Sequence, residues 1–241
     1  AFEGCVNLTS GAIPAGVEEI GDQAFRDCAK LTGVTIPASV RRIGDDAFYG
    51  CASLASAALP SGLLRIGNQA FEGCEKLTGA AIPAGVEQVG YRAFANCYAL
   101  TDVTLPSCVD MRMVFERDDE MQHPCLWERV TLLGDWERIE GFEEMTSLVS
   151  VTFPASVREI CSYAFRGCTS LKSVTIQGGS AQTGSGGAVG SSAFEGCVKL
   201  TSVSIPAGVE EIGDSAFRDC AKLTGVTIPA SVRTIRDNAF Y

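Results

Sequence analysis

An Ala-Phe pair recurs along this chain at a fixed interval, and that interval constrains the fold more than any other feature. The spacing is 23 residues in most steps, and the phenylalanines are Phe2, Phe25, Phe48, Phe71, Phe94, Phe165, Phe194, Phe217 and Phe240. A short fixed period predicts a solenoid, in which each unit stacks only on its neighbours. The segment 17–31 accordingly returns at 209–223 with one change because both are repeat units, not because there is a second domain.

Each repeat can be written C-x-x-L-x-x-V-x-I-P-x-x-V-x-x-I-G-x-x-A-F, as in residues 28–48. Val34 and Ile36 alternate with small or polar residues, which predicts a short strand with one buried face. A second short extended segment is predicted after the proline, and Gly44 permits the bend that follows it.

The end of each repeat carries apolar residues at helix-like spacings. Ala47, Phe48, Cys51 and Leu54 lie one, three and three residues apart, which favours one turn of a tight helix. The apolar positions of a single repeat cannot form a core alone. We therefore expect stacked repeats to share continuous columns of buried side chains.

The middle of the chain departs from the period. Alignment by hand leaves an irregular insert at 106–129 and a Gly/Ser-rich surface loop at 177–192. We predict a single solenoid of about ten coils over residues 1–241. Both ends fall within a coil and lack the polar caps that terminal repeats need, so we expect a chain truncated at both ends.

The repeat string resembles the BspA-like leucine-rich repeat family, whose 23-residue repeats are known from bacterial and protist surface proteins. The match runs over nearly the whole chain and departs from the pattern at 106–129, Cys161, Met145, Gln177 and Arg236. The resemblance implies an α/β repeat solenoid, right-handed and curved, with a parallel β-sheet on the concave face and short helical or 3-10 turns. It also implies adhesion or protein binding, and a location on the cell surface or outside the cell.

The charge balance restricts the partners. The net charge is −10, which disfavours nucleic acid and anionic membranes. No apolar stretch is long enough to cross a bilayer, and the first residues do not read as a signal peptide. A protein partner is therefore expected. A solvated loop is the favoured interpretation of the acidic residues Glu116, Asp118, Asp119, Glu120, Glu137, Glu140, Glu143 and Glu144. If they gather on one edge, they would instead favour a basic partner or a calcium ion.

Eleven cysteines raise the question of disulfides or metal. Eight of them follow the repeat phenylalanine by three residues, so they form one column of small buried side chains with reduced thiols. Parallel Cβ directions between adjacent coils suit a disulfide badly. His123 and Cys125, with Cys108, offer zinc-ligand types, but the spacing matches no zinc motif, and we predict no metal site.

Catalysis has no candidate residues. His123 is the only histidine, and no nucleophile motif lies near it. The glycine-rich loop lacks the G-K-[ST] ending of a phosphate cradle. We therefore predict a protein that is not an enzyme and that needs no cofactor.

The outward positions of the predicted sheet carry small residues, many of them Ser or Thr, which let a partner approach the backbone closely. Regular rows of Ser and Thr on a flat solenoid are also similar to ice-binding surfaces, although here the rows include Ala, Gly and charged residues. Bulky candidates for partner binding cluster in the middle of the chain, at Met111, Met113, Trp127, Arg129 and Trp136. The sequence thus predicts a protein-binding module for adhesion or recognition; the alternative is a structural spacer or an intracellular scaffold within a larger protein.

Overall fold

The computed structural model describes residues 1–114, 126–177 and 186–241. The chain divides into two compact units, Ala1–His123 and Pro124–Tyr241. Within each unit the described residues form a parallel-strand β-solenoid, and about nine turns of it are described in total. The prediction that residues 1–241 form one continuous solenoid stays a prediction.

Each regular coil contributes two very short strands, whereas the described part of the last coil of the first unit has one strand followed by a helical turn. Those of the first unit are β1 (Ser10–Ala12), β2 (Glu19–Ile20), β3 (Gly33–Thr35), β4 (Arg42–Ile43), β5 (Ser56–Ala57), β6 (Arg65–Ile66), β7 (Gly79–Ala81), β8 (Gln88–Val89) and β9 (Asp102–Pro106), followed by the helical turn α1 (Met111–Val114). Those of the second unit are β10 (Arg129–Leu133), β11 (Arg138–Ile139), β12 (Ser150–Phe153), β13 (Glu159–Ile160), β14 (Ser173–Ile176), β15 (Gly187–Val189), β16 (Ser202–Ser204), β17 (Val209–Ile212), β18 (Gly225–Thr227) and β19 (Thr234–Ile235).

The strands pair only with their equivalents in adjacent coils, and every described pair is parallel. In the first unit β1-β3-β5 and β7-β9 come from the first strand of each coil, and β2-β4-β6-β8 from the second. In the second unit the corresponding sheets are β10-β12-β14-β16-β18 and β11-β13-β15-β17-β19. The predicted parallel sheet is therefore confirmed.

The alternation in each repeat sets which side chains enter the core. Val34 and Ile36 are buried, whereas Thr35 between them is exposed. Ile43 in strand β4 and Val40 just before that strand are also buried in the core. A coil therefore encloses apolar side chains from both of its strands.

The phenylalanine column is the clearest confirmation of the repeat prediction. In the first unit the rings of Phe2, Phe25, Phe48, Phe71 and Phe94 stack in succession, with centroids 5.1 to 5.2 Å apart. In the second unit the stack consists of Phe142, Phe165, Phe194, Phe217 and Phe240, with 5.1 Å between neighbours. Offset stacking at this separation is favourable beyond the burial of each ring.

The prediction of an α/β class with helical or 3-10 turns is wrong. Among the described residues only Met111–Val114 is helical, and the segment that carries the phenylalanine is a series of turns in every coil. The cause is a left-handed backbone at two positions of the turn segment that lie four residues apart. Asp46 has a φ of 55° and Gly50 a φ of 68°, so a helix cannot propagate through residues 44–51.

These turns divide their amide groups between two directions. The N–H groups of Tyr49 and Cys51 donate to carbonyls three residues earlier in the same coil. The N–H groups of Asp46, Phe48 and Gly50 donate instead to carbonyls of the next coil, at 2.7 to 2.9 Å. The turn segment is thus a third hydrogen-bonded ladder between coils, and its polar backbone groups are satisfied without a helix.

The glycine of the I-G pair allows adjacent coils to approach each other. A Cβ on Gly67 would lie 2.5 Å from the carbonyl carbon of Gly44 and 2.6 Å from the amide nitrogen of Asp45. Such distances do not occur between real atoms, so any larger residue would push the coils apart. Gly90 and Gly213 meet the equivalent backbone atoms of the coils that precede them.

The two irregular segments are described in part. Residues 115–125 of the insert at 106–129 lie outside the described residues, and so do residues 178–185 of the loop at 177–192. The end of that loop contains strand β15, which pairs with β13 and β17. Val189 and Gly190 occupy the I-G positions of a shortened repeat, and Val189 is fully buried.

Candidate binding surface

The predicted partner-binding residues fall in different units. Met111 and Met113 belong to α1 of the first unit, where Met111 is half-buried and Met113 is 51% exposed. The short helical turn forms after the last strand of that unit, where Met113 supplies the carbonyl that accepts a hydrogen bond from the Arg92 N–H at 2.7 Å.

The other three predicted residues lie in the first coil of the second unit. Trp127 is only 3% exposed and therefore belongs to the core of that coil. Arg129 begins strand β10 and is exposed, and Trp136 is half-buried. Of this group, Arg129 presents the most of its side chain to a partner.

Strand register brings a set of hydroxyl groups together on the second unit. The outward residues of its first sheet form what we call the hydroxyl face, which consists of Arg129, Thr131, Ser150, Thr152, Ser173, Thr175, Ser202, Ser204, Gly225 and Thr227. All of these residues are exposed or half-buried. They lie outward because the alternating Val130, Val151, Val174 and Val203 point into the core.

The hydroxyl face has two parallel rows. Pairing aligns Arg129 with Ser150, then Ser173, Ser202 and Gly225 in one row. The second row aligns Thr131, Thr152 and Thr175, and in it the two hydroxyl oxygens of Thr152 and Thr175 lie 3.2 Å apart. Each hydroxyl can both donate and accept a hydrogen bond, so the rows offer regularly spaced polar contacts to a partner.

The equivalent surface of the first unit has a different composition. Its outward residues include glycine and alanine at many positions, as in β7 (Gly79–Ala81), and fewer hydroxyl groups. It therefore offers a close approach to the backbone but fewer side-chain hydrogen bonds. The sequence alone does not divide the outward residues between two units. In the structure, the part that is rich in Ser and Thr belongs to the second unit.

Several exposed bulky residues were missed in the sequence analysis. Leu64 and Tyr91 in the first unit, and Leu126 and Tyr163 in the second, each expose more than a third of their side chain. A signal was present for two of them. Leu64 stands at an outward position that is charged in the coils before and after it, and Tyr91 follows the glycine at a position that is Asp or Asn in earlier coils.

The outward face of the second sheet of each unit carries opposed charges. Arg42 lies 3.1 Å from Glu19 of the preceding coil, and Arg138 lies 3.5 Å from Glu159 of the following coil. The guanidinium of Arg236 donates two hydrogen bonds to the Glu211 carboxylate, at 2.8 and 3.1 Å, which lowers the pKa of that carboxyl group. These pairs are solvated, and their contribution to stability is small.

One ion pair is largely removed from water. The Glu72 carboxylate accepts hydrogen bonds from Arg92, the shortest of them 2.7 Å from Nη2, and another from the Gln69 amide at 3.0 Å. Glu72 is the one buried charged residue among those described. It therefore fixes the contact between two adjacent coils instead of offering a binding group.

The predicted acidic edge is described only in part. Glu137, Glu140, Glu143 and Glu144 are all exposed, and the Glu143 carboxylate lies 3.4 Å from the guanidinium of Arg166. The other members of the predicted cluster, Glu116, Asp118, Asp119 and Glu120, lie outside the described residues. The cation site suggested for them therefore stays a prediction.

The cysteine column is confirmed as a set of buried thiols except at its first member, Cys5, which is exposed. Each of the other seven thiols donates a hydrogen bond to a phenylalanine carbonyl of the preceding coil, as Cys51 does to Phe25 at 3.1 Å and Cys220 to Phe194 at 3.2 Å. Burial is the main cause that raises the pKa of both Cys51 and Cys220 to about 12. These thiols are therefore protonated and unreactive at neutral pH, because only the thiolate is nucleophilic.

Chemistry-bearing groups do not converge elsewhere in the part of the chain that is described. No group of three or more Cys, His, Asp or Glu side chains among the described residues could hold a metal ion. His123 and Cys125, the zinc candidates, lie outside those residues. No described helix has the length and apolar character needed to cross a membrane.

Comparisons with known proteins agree with this architecture. The family model for the BspA type leucine rich repeat region matches the chain in six copies over residues 1–113 and 138–241. A search of curated proteins gives no match.

Solved structures of bacterial leucine-rich repeat proteins resemble the chain. A protein from Bacteroides ovatus is 28% identical, covers 98% of this chain and 76% of its own, and has a TM-score of 0.42. The leucine rich repeat protein of T. pallidum is 27% identical, with coverages of 80% and 78% and a TM-score of 0.43. A leucine rich cell surface protein from Faecalibacterium prausnitzii is 25% identical, with coverages of 95% and 78% and a TM-score of 0.38.

The family model accounts for most of the sequence. This chain belongs to the BspA-type leucine-rich repeat family, whose repeats are a protein-interaction type of module.

Proposed function

We propose that this chain is a non-enzymatic protein-binding module that contacts its partner through the hydroxyl face of the second unit. The observation that carries the proposal is the pair of aligned hydroxyl rows on an exposed parallel sheet. Membership of a repeat family used for protein interaction supports it. The proposed role is adhesion or recognition.

The spacing of the rows suits an extended protein surface. Neighbouring strands lie about 4.8 Å apart, so the hydroxyl groups of Ser150, Ser173 and Ser202 recur at that interval. Small side chains let a partner backbone come within hydrogen-bond distance. A partner segment that runs across the strands could therefore pair its polar groups with successive coils.

Arg129 is the proposed anchor at one edge of this face. Its ion pair with the neighbouring Glu128, at 3.3 Å, is exposed to solvent on both sides. Such pairs contribute little, so a partner carboxylate or carbonyl could replace Glu128 at low cost. Arginine is also among the residues that most often dominate binding energy. Met111, Met113 and Trp136 stay proposed contacts, whereas Trp127 supports the coil from within.

The charge of the chain favours a basic partner. The net charge is −10, and the exposed carboxylates of Glu137 and Glu140 lie in the same unit as the hydroxyl face. A basic protein would be attracted over a distance of about one Debye length, and the rate of association would fall with salt.

The rival function is a structural spacer that binds nothing. We would immobilise the chain, expose it to cell-surface extract and to purified matrix proteins, and quantify the captured proteins by mass spectrometry. Thr175→Lys places a long cation in the middle of the hydroxyl face. Ser162→Lys places the same cation at an exposed turn outside the sheet and serves as the matched control.

The proposal predicts that the chain and Ser162→Lys capture the same proteins, and that Thr175→Lys reduces capture at least tenfold. Equal capture by both variants would place the binding surface elsewhere. If none of the three captures a protein, the spacer function is correct.

The proposed location is the cell surface, on the resemblance to surface proteins of bacteria and protists. An antibody against this chain should label intact cells of the source organism as strongly as permeabilised cells. Labelling only after permeabilisation would instead support the intracellular scaffold.

A further inference from the structure

The lysines of this chain are distributed unlike its other charged residues. All five lie in the turn between the cysteine column and the first strand, at Lys30, Lys76, Lys172, Lys199 and Lys222. All are exposed, and none makes an ion pair with any described residue. Arginines such as Arg92, Arg166 and Arg236, by contrast, are paired with carboxylates.

Three of these lysines lie in adjacent coils of the second unit, and we call them the lysine edge: Lys172, Lys199 and Lys222. Lys199 and Lys222 are equivalent positions, each three residues before the paired residues Ser202 and Gly225. Their backbones are therefore one strand spacing apart, about 4.8 Å. Lys172 lies next to the turn that carries Lys199. Its backbone carbonyl accepts hydrogen bonds from the N–H and the hydroxyl of Thr201, at 2.9 and 3.0 Å.

None of the described carboxylates forms an ion pair with these ammonium groups. The turn segments 169–172, 198–201 and 221–224 contain no acidic residue. The carboxylates nearest in sequence are those of Glu195 and Asp219, and both lie beside the guanidinium of Arg218, at 3.9 and 3.7 Å. The ammonium groups of Lys199 and Lys222 thus repel each other, and a bound polyanion would relieve that repulsion.

We propose that the lysine edge binds a linear sulfated polysaccharide that runs across the coils. Lysine ammonium groups act as point charges suited to sulfate, and the exposed hydroxyls of Thr201 and Thr224 can bond sugar hydroxyls between them. A chain molecule is favoured over a single anion because the cations form a row and no pocket encloses them.

Other polyanions fit this edge less well. Single-stranded nucleic acids need aromatic side chains on which bases can stack, and the three turn segments contain none. Arginine forks, which pair with phosphates in a bidentate way, are also absent from these segments.

The test measures binding of a fluorescent heparin octasaccharide by anisotropy in 150 mM NaCl. The double variant Lys199→Gln with Lys222→Gln removes two charges from the lysine edge. The matched control is Lys30→Gln with Lys76→Gln, which removes the same charge from equivalent turns of the first unit. Circular dichroism and thermal unfolding would show that both variants keep the fold, because all four side chains are exposed.

The proposal predicts at least a tenfold loss of affinity in the Lys199/Lys222 variant and less than a twofold loss in the control. Desulfated heparin should bind at least tenfold more weakly than heparin. Equal losses in both variants would mean that only overall charge matters, and would overturn the proposal. Tighter binding of duplex DNA or of phosphatidylserine vesicles than of heparin would overturn it as well.

Discussion

The ring of Phe48 lies 5.1 Å from the ring of Phe71 in the next coil, with the two planes only 10° apart. Both rings are fully buried. Neither coil could shield its own ring from water, because the ring of each coil covers one face of the ring in the other coil. The contact between these two residues is therefore the unit from which the core of the solenoid is built.

Removal of one ring from the stack should destabilise the chain strongly. Phe48→Ala leaves a cavity between two neighbouring rings, and we expect the free energy of unfolding to fall by about 3–5 kcal/mol. Phe2→Ala is the control, because Phe2 is 46% exposed and has one neighbour in the stack. We expect about half that loss or less. Urea unfolding followed by circular dichroism measures both, and equal losses would contradict the stacking account.

The glycine that follows each buried isoleucine should tolerate no side chain. In Gly67→Ala the new Cβ would collide with the backbone of Gly44 and Asp45, so we expect a loss of at least about 2 kcal/mol from backbone displacement. Gly33→Ala is the matched control, because its Cβ would meet no atom within 4 Å. We expect that change to be neutral within about 0.5 kcal/mol, by the same urea measurement. A neutral Gly67→Ala would show that the coils can separate at little cost.

The two kinds of ion pair should differ in energy. Glu72→Ala removes the carboxylate from a pair in which Arg92 is 14% exposed, and we expect a loss of about 3 kcal/mol. Glu143→Ala breaks the solvated pair with Arg166, and we expect less than about 1 kcal/mol. Thermal unfolding of the two variants would measure the difference. Similar midpoints would indicate that water reaches Glu72.

The buried thiols should make the chain less stable in alkali. Burial raises the pKa of Cys51 to about 12, whereas a thiol of the unfolded chain titrates near about 8.5. Between these values the unfolded chain has lost a proton that the folded chain retains. Stability is therefore complete below about pH 8.5 and is lost as the pH rises towards 12, by about 1.4 kcal/mol per pH unit for each such thiol.

Cys51→Ala tests this thiol separately. The variant loses the hydrogen bond to the Phe25 carbonyl and should be less stable than the parent chain at pH 7.5. Its further loss of stability between pH 7.5 and pH 9.5 should, however, be about 1.4 kcal/mol smaller than that of the parent. Urea unfolding at the two pH values gives both quantities. If the free energy of unfolding fell by the same amount in both proteins, burial would not be raising the pKa of Cys51.

The period and the columns were predictable because they depend on side-chain type. The repeat string assigns an apolar residue to each inward position, and Phe25, Phe48 and Phe71 stack as that string predicts. The hydroxyl rows were likewise visible as alternation between valine and Ser or Thr. What the pattern could not give was the division of these rows between two units.

The turns could be predicted only in part. The first left-handed position of each turn carries Gln23, Asp46, Gln69 and Arg92 in successive coils, and neither glutamine nor arginine is typical of that conformation. The position four residues later is Gly, Asp or Asn in the same coils, which are the types that favour it. The apolar spacing of one, three and three fits a helical turn equally well. Hydrogen bonds to the next coil decide between the two conformations, and such bonds exist only after stacking.

Trp127 shows the same limit at the candidate surface. A tryptophan in an irregular insert reads as an exposed anchor, yet here it fills the core of its coil. The exposed Leu64 and Tyr91 were visible only as exceptions to the residue type of their columns. Surface anchors in a repeat protein are thus better sought as departures from a polar column than as bulky residues in an insert.

A double-mutant cycle on Phe48 and Phe71 tests the central claim most directly, which is that adjacent coils share one core. Phe48→Leu, Phe71→Leu and the double variant would be compared with the parent chain by urea unfolding. The account predicts a coupling energy of about 0.5–1.5 kcal/mol between these neighbours. It also predicts additive losses for Phe25 and Phe71, which are separated by a full coil. Additive losses for Phe48 and Phe71 would contradict the claim that each coil stabilises the next.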